Sequence, residues 1–375
     1  MRLDSISLTA VSSTLFNVDQ IKYVCARFKK DMSNGDCEHN QGPSTSHPLA
    51  KVAHTSAFIR ASRPTKVRHS RLMASFTFVL GDGRKIPGIG LGTFQIDASA
   101  SEAAVSAALK VGYKHVDTAD SYRNEQEIGN ALKGVDRASV FVTTKLWPGN
   151  PQWGMPAKTY DETIAACKQS RQSLAIDAID LYLIHAPMAG SAEARVAQWK
   201  ALIECQAQGL CKSIGVSNYG IAHLKEIAAA GLPMPAANQL ELHPLTQKPE
   251  LLAYMKEHKI LPIAYSSLAP LSNWREGYQA IKGTKTEDEK KATTVEVIAK
   301  RLGVSPARVL LRYALQRGWA CIPKSTKEER LKENLDLDAF ELSEADVKAL
   351  DALEANANVA WDAPPGQHFD LTILP

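Results

Sequence analysis

The chain has 375 residues, 45% hydrophobic and 22% charged, an ordinary globular composition that fits one large domain or two small ones. No apolar run reaches the ~18 residues of a membrane-spanning helix, so no membrane partner is expected. The formal charge of +4 is unevenly placed: residues 1–72 hold 11 Lys/Arg against 5 Asp/Glu, leaving 33 basic and 35 acidic residues over 73–375, so the body offers no field for nucleic acid.

From His39 to Leu72 there is no acidic residue and there are six Lys/Arg, a composition unsuited to burying a core. Residues 1–72 therefore read as a disordered N-terminal extension and residues 73–375 as the folded domain. Two alternatives attach to the extension: a targeting segment, which its basic, Ser-rich, acid-poor second half suits, or an upstream start codon with Met73 as the true start. A cytoplasmic location is expected, with organelle import through the extension as the alternative. The six cysteines (Cys25, Cys37, Cys167, Cys205, Cys211, Cys321) form no C-x-x-C pair and have no His at ligand spacing. They read as buried reduced thiols, and no metal is expected.

Ordered text begins near Ser75. Phe76–Val79, the turn Gly81-Asp-Gly83 and Arg84–Ile86 read as a short hairpin, because Asp-Gly suits a tight turn. Eight strand candidates follow: Gly90–Thr93, Lys114–Asp117, Val140–Lys145, Ile179–His185, Lys212–Val216, Ala236–Gln239, Leu261–Tyr265 and Ala320–Pro323. Amphipathic helices are expected over Ser101–Val111, Glu125–Lys133, Tyr160–Leu174, Ala192–Gln208, Ile221–Ala230, Pro249–His258, Ser305–Arg317 and Thr326–Asn334. Ser305 caps the seventh, Pro306 opens it and Gly318 follows its end. Eight strands alternating with helices predict an α/β fold, a (β/α)8 TIM barrel with the hairpin closing its bottom; a doubly wound open sheet is the structural rival.

In a barrel the chemistry lies at the carboxyl ends of the strands. Here those ends are polar: Asp117, Lys145, His185, Ser217-Asn218, Asn238-Gln239, Tyr265-Ser266 and Lys324-Ser325. Each alone has a plain structural explanation; together at one mouth they make a site. A phenol titrates near ~10, and a neighbouring ammonium stabilises its phenolate. Tyr122 with Lys145 beside it, Asp117 holding the ammonium and His185 orienting an oxygen would form a proton-donor site for reducing a carbonyl.

Other chemistries lack their parts, for there is no G-x-S-x-G, no G-x-x-x-x-G-K-[ST] and no H-E-x-x-H. Gly88-Ile-Gly-Leu-Gly92 lacks a helix behind it and reads as a close-packed strand rather than a dinucleotide loop. Ser325 with Glu328 is expected to form a capping box, setting a helix start beside Lys324 and Arg330 as a cradle for a ribose phosphate. A carboxylate such as Glu333 would favour NAD instead, in competition with those cations.

These residues resemble the aldo-keto reductase family. The matching text is Gly90–Phe94, His115–Glu125, Thr144–Trp147, Ile179–His185, Gly215–Asn218, Asn238-Gln239, Ala264–Ser266 and Ile322–Ser325, ordered and spaced as the family has them from about Ser75 to Trp361. The resemblance implies a (β/α)8 barrel using NADP(H), with Tyr122 as general acid and Asp117, Lys145 and His185 completing its tetrad. It implies that Ser217, Asn218 and Gln239 hold the carboxamide and that Tyr265 stacks on the nicotinamide. Ser266, Leu268, Lys324, Ser325, Arg330, Glu333 and Asn334 would line the rest of the cofactor. Thr93 and Phe94 would border cofactor and substrate, with Trp147 and Ala186 in the substrate pocket. Ala186 is a departure, since many members carry Trp there, and a small residue should widen the pocket. The tail Asp362–Asp370 has no clear match.

The function expected is NADPH-dependent reduction of a small carbonyl substrate (an aldehyde, ketone or sugar) by a monomer, with a homodimer as the alternative state. The alternative function is an NADP(H)-binding regulatory or sensor subunit.

Overall fold

The computed structural model describes residues 76–271 and 293–356, together with 358 and 360. The expected extension, its boundary at Met73 and the tail 362–370 lie outside the described residues.

Thr77–Val79 (β1) and Lys85–Pro87 (β2) pair antiparallel with Phe78 opposite Ile86, the hairpin that Asp-Gly predicted. Eight parallel strands follow in order of sequence: β3 (Leu91–Gly92), β4 (His115–Asp117), β5 (Phe141–Leu146), β6 (Ile179–Ile184), β7 (Cys211–Ser217), β8 (Ala237–Glu241), β9 (Leu261–Tyr265) and β10 (Ala320–Cys321). The ends meet. Gly90 N donates to Cys321 O at 2.9 Å, and Cys321 N donates to Gly88 O at 2.8 Å, so the sheet closes into a barrel.

Helices cover the outside: α1 (Ala98–Val111), α2 (Glu125–Leu132), α3 (Tyr160–Ser173), α4 (Ala192–Ala207), α5 (Ile221–Ala229), α6 (Pro249–Glu257), α7 (Thr294–Leu302), α8 (Pro306–Gln316), α9 (Glu328–Leu335) and α10 (Glu344–Asp351). α8 carries the predicted Ser305 cap, Pro306 opening and Gly318 at φ +82°. Two helices, α7 and α10, are additional to those the sequence predicted. Both begin with a capping box, Thr293 with Glu296 and Ser343 with Asp346, so a local signal for each was present.

The period of two along each strand sorts residues between two cores. Tyr182, Ile184, Val116, Val142, Leu146, Ile214, Val216, Leu240 and Ala264 face the helices. Leu181, Leu183, Ala237, Leu261, Ile263 and Ala320 fill the barrel interior with Leu80 and Ile86 of the hairpin region. The hairpin therefore plugs the bottom, where Gly81 N donates to Ala236 O at 2.9 Å and Ser213 donates to Asp82 at 2.7 Å. The same parity, carried to the other end, brings Asp117, Lys145, His185, Ser217, Gln239 and Tyr265 inward.

The glycines of Gly88-Ile-Gly-Leu-Gly92 serve packing, as the sequence predicted. A Cβ on Gly90 would lie 2.4 Å from the His115 ring, and one on Gly92 would lie 2.5 Å from Ile322 O.

Candidate active site

Asp117 closes β4, and Lys145 lies one residue before the end of β5. The Lys145 ammonium is fully buried and donates to Asp117 Oδ1 at 2.5 Å and to Thr118 O at 2.7 Å. Gln239 Nε2 donates to the other Asp117 oxygen at 2.7 Å. Burial alone would lower the Lys145 pKa, but the Asp117 carboxylate, with the Tyr122 phenol, holds it above its ordinary value. The ammonium therefore stays charged.

Tyr122 ends a short 3-10 turn, Asp120–Tyr122, that follows β4. Its ring centroid is 5.1 Å from Lys145 Nζ, and its hydroxyl is 3.5 Å from His185 Nε2. That separation is the outer limit of a hydrogen bond, and such contacts tighten when substrate binds. Burial pushes the phenol above its ordinary pKa, while the Lys145 charge pulls it down. The sequence predicted a phenol lowered by the ammonium; the ammonium does pull that way, but desolvation outweighs it and the net shift is upward. His185 is pushed well below its ordinary value by burial and by Lys145, so its ring is neutral. Ser121 Oγ lies 3.3 Å from His185 Nδ1.

A second polar group adjoins this one. Ser217 donates to Gln239 O at 2.8 Å, Asn218 Nδ2 donates to His185 O at 3.0 Å, and the Tyr265 hydroxyl donates to Asn218 Oδ1 at 2.7 Å. Asn218 and Ser266 both take positive φ, 61° and 53°, which bends the chain back at the strand ends. Thr93 donates to Asp117 O at 3.0 Å, and the exposed Phe94 ring lies 5.1 Å from Tyr122. Trp147 stands edge-on to His185 at 5.7 Å and stacks on Trp153 at 6.2 Å. Ala186, directly after His185, is buried.

Among the described residues, Leu268, Lys324, Ser325, Arg330, Glu333 and Asn334 make no hydrogen bond to the Asp117–Lys145 group; they follow β9 and β10 or lie on α9. Here one expectation fails. α9 starts at Glu328 with Lys327 at its cap, and Ser325 Oγ accepts from Lys327 N at 3.1 Å, so the Ser325–Glu328 capping box does not form. The Ser325 hydroxyl is spent on a tight local turn that delays the helix. Lys324 and Arg330 are exposed and carry no ion-pair partner among the described residues, whereas Glu328 is paired with Lys332 at 2.6 Å. Two such cations near a helix start fit an anionic group such as a phosphate.

Sequence reasoning missed the residues beneath the site. Thr118 donates to Asn124 Oδ1 at 2.7 Å, Thr144 donates to Glu125 at 2.6 Å, and Asp120 accepts from Trp147 N. The signal was the unusual density of polar residues within His115–Glu125. Among the described residues no group of three or more His, Cys, Asp or Glu could hold a metal, and no helix is long and apolar enough to cross a membrane.

The aldo/keto reductase family model matches residues 88–355. The chain belongs to the aldo/keto reductase family. It is 40% identical over 285 residues to an aldo-keto reductase of Mycolicibacterium smegmatis, covering 76% of this chain and 95% of that one. It is 37% identical to an aldose reductase of Encephalitozoon cuniculi, with the same coverages. The solved structure of a Bombyx mori aldo-keto reductase in complex with NADP superimposes with a TM-score of 0.67 at 29% identity, covering 76% of this chain and 95% of that one. This aldo-keto reductase is thus an oxidoreductase acting on carbonyl groups.

Proposed function

We propose that this aldo-keto reductase converts a small aldehyde, ketone or sugar to its alcohol, with Tyr122 as proton donor and NADPH as reductant. The buried Asp117–Lys145 pair beside Tyr122 and His185 carries this reading, because a binding protein has no use for an ammonium held charged next to a phenol. NADPH, when bound, supplies the hydride. Neutral His185 directs the carbonyl oxygen by a hydrogen bond, and Tyr122 passes its hydroxyl proton to that oxygen as negative charge develops there. Lys145 stabilises the resulting phenolate, and Asp117 balances Lys145 in a site with little water. Ser217, Asn218, Gln239 and Tyr265 would hold the nicotinamide end, with Thr93 and Ser266 beside them, and Lys324 and Arg330 the ribose phosphate. Leu268, Ser325, Glu333 and Asn334 would line the adenosine side, while Phe94, Trp147 and Ala186 would face the substrate. The NADP in the Bombyx mori relative and the aldose reductase activity named for the Encephalitozoon cuniculi relative support cofactor and substrate class.

The test is direct. Tyr122→Phe should lower turnover of an aldehyde by ~10²-fold or more and leave NADPH binding nearly intact. Arg330→Ala should weaken NADPH binding about 10- to 150-fold, the equivalent of one charge-assisted bond, and barely change NADH binding. Parent-like turnover in Tyr122→Phe, or equal losses for both cofactors in Arg330→Ala, contradicts the corresponding assignment.

A further inference from the structure

Trp147 is gripped through its own peptide. Its N–H donates to both Asp120 oxygens, at 3.0 and 2.9 Å, and its carbonyl accepts from the Lys158 ammonium at 2.7 Å. Charged partners make these bonds stronger than neutral ones. The anchors come from different places: Asp120 opens the turn that ends in Tyr122, and Lys158 lies just before α3. Lys158 is fixed in turn. Its N–H donates to Pro148 O at 2.9 Å, and the buried Gln198 amide donates to both Pro148 O and Lys158 O, at 2.8 and 3.1 Å.

One carboxylate thereby joins the turn of the acid to the strand of the ammonium and to the ring beside His185. Its position is electrostatically unfavourable for the acid. Burial pushes the Asp120 pKa up, and its negative charge opposes formation of a phenolate at Tyr122. The charged or titratable groups facing Asp120 are Lys145 on β5, Lys158 before α3, Tyr122 in its own turn, Glu125 on α2 and Tyr182 on β6. Facing Tyr122 are Lys145, Asp117, Asp120 and His185. A neutral hydrogen-bonding residue would spare Tyr122 that charge, so the carboxylate is accounted for by what it holds.

We propose that Asp120 and Lys158 are positioning residues, a charged clamp on the Trp147 peptide that sets the wall against which the carbonyl substrate lies beside Tyr122 and His185. The proposal rests on reading Tyr122 as the proton donor. Loosening the clamp lets the wall move, which weakens the hold on substrate more than it slows proton transfer.

Asp120→Ala, Asp120→Asn and Lys158→Met are compared with the parent full-length chain, at saturating NADPH, using a small aliphatic aldehyde and a bulky aryl aldehyde. Asp120→Ala and Lys158→Met should raise KM about 5- to 30-fold with kcat changed by no more than about threefold, and Asp120→Asn, which keeps an acceptor oxygen, should recover most of the KM. In Asp120→Asn the alkaline fall of kcat/KM should move to lower pH, because the negative charge beside Tyr122 is gone; in Lys158→Met it should not. KM values within about twofold of the parent in both truncating variants overturn the clamp, as does a loss confined to thermal stability. If Asp120→Ala does not fold, Asp120→Asn and Lys158→Met decide by the same KM and pH criteria. Tyr122→Phe is measured in parallel: retained turnover there removes the proton-donor reading, while the KM comparison still decides the clamp.

Discussion

Lys145 shows why the tetrad must be judged one residue at a time. Its ammonium is fully buried and is held by Asp117 and Thr118 O with the Tyr122 hydroxyl beside it, and among the described residues Asp117 keeps the side-chain bond from Gln239 if the ammonium is lost. Breaking a buried pair from one side costs about 3–5 kcal/mol, because the surviving charge is stranded. Lys145→Met should lose stability on that scale in urea unfolding, and the double variant with Asp117→Asn should regain much of it without regaining turnover. The pH profile separates the two effects. Tyr122 is a donor only while protonated, and burial holds its pKa above the usual phenol value, so reduction should persist through neutral pH and fall only at strongly alkaline pH. Lys145→Met removes the charge that pulls this pKa down, so the residual activity should fall at a still higher pH. A fall at lower pH than in the parent contradicts Lys145 as the stabilising cation.

The strands position these residues, and their two-residue period explains how. On β6, Leu181 and Leu183 point into the barrel and His185 continues their parity; on β5, Thr143 and Lys145 continue that of Phe141. A slip of one residue would turn every such side chain to the helices. Closure therefore matters as much as alternation, and it rests on the short segment Gly88–Gly92. Gly90 has no room for a side chain because the His115 ring lies against it. Gly90→Ala should cost about 1–3 kcal/mol by overpacking against His115 and lower activity by displacing β4, which carries Asp117 two residues on. An unchanged melting temperature contradicts the close-packing role. At α9 the element is legible and its start is not. Ser-x-x-Glu suggested a box, but the Ser325 hydroxyl already accepts from the backbone N–H of Lys327, two residues on.

At the scale of the whole molecule, buried histidines make the fold sensitive to acid. Burial pushes His115 and His223 down to about 4, so both are neutral in the folded chain at pH 7. In the unfolded chain they take up protons near ~6.5, so their contribution is complete above that pH and is lost as pH falls toward 4, by about 3 kcal/mol each at the limit. Asp120 and Glu125, pushed up by burial, act in the opposite sense. The histidine share is therefore read from His223→Gln, whose urea stability should decline less than the parent's between pH ~6.5 and ~4.5. Identical slopes contradict it.

The sequence by itself determined an α/β fold of alternating strands and helices with polar residues at the strand ends, because alternation, helix spacing and polar strand ends are local properties of the chain. It also showed that Gly88–Gly92 packs closely rather than cradling a phosphate. The choice of a closed barrel over an open sheet came from the hydrogen bonds joining Gly88 and Gly90 to Cys321. Only the tertiary structure decided how those residues meet. That Gln239 shares Asp117 with Lys145, that burial outweighs the ammonium at Tyr122, and that Asp120 and Lys158 grip one peptide are consequences of side chains far apart in sequence being desolvated together. Desolvation and hydrogen-bond partnership depend on neighbours in space, and spacing along the chain carries neither.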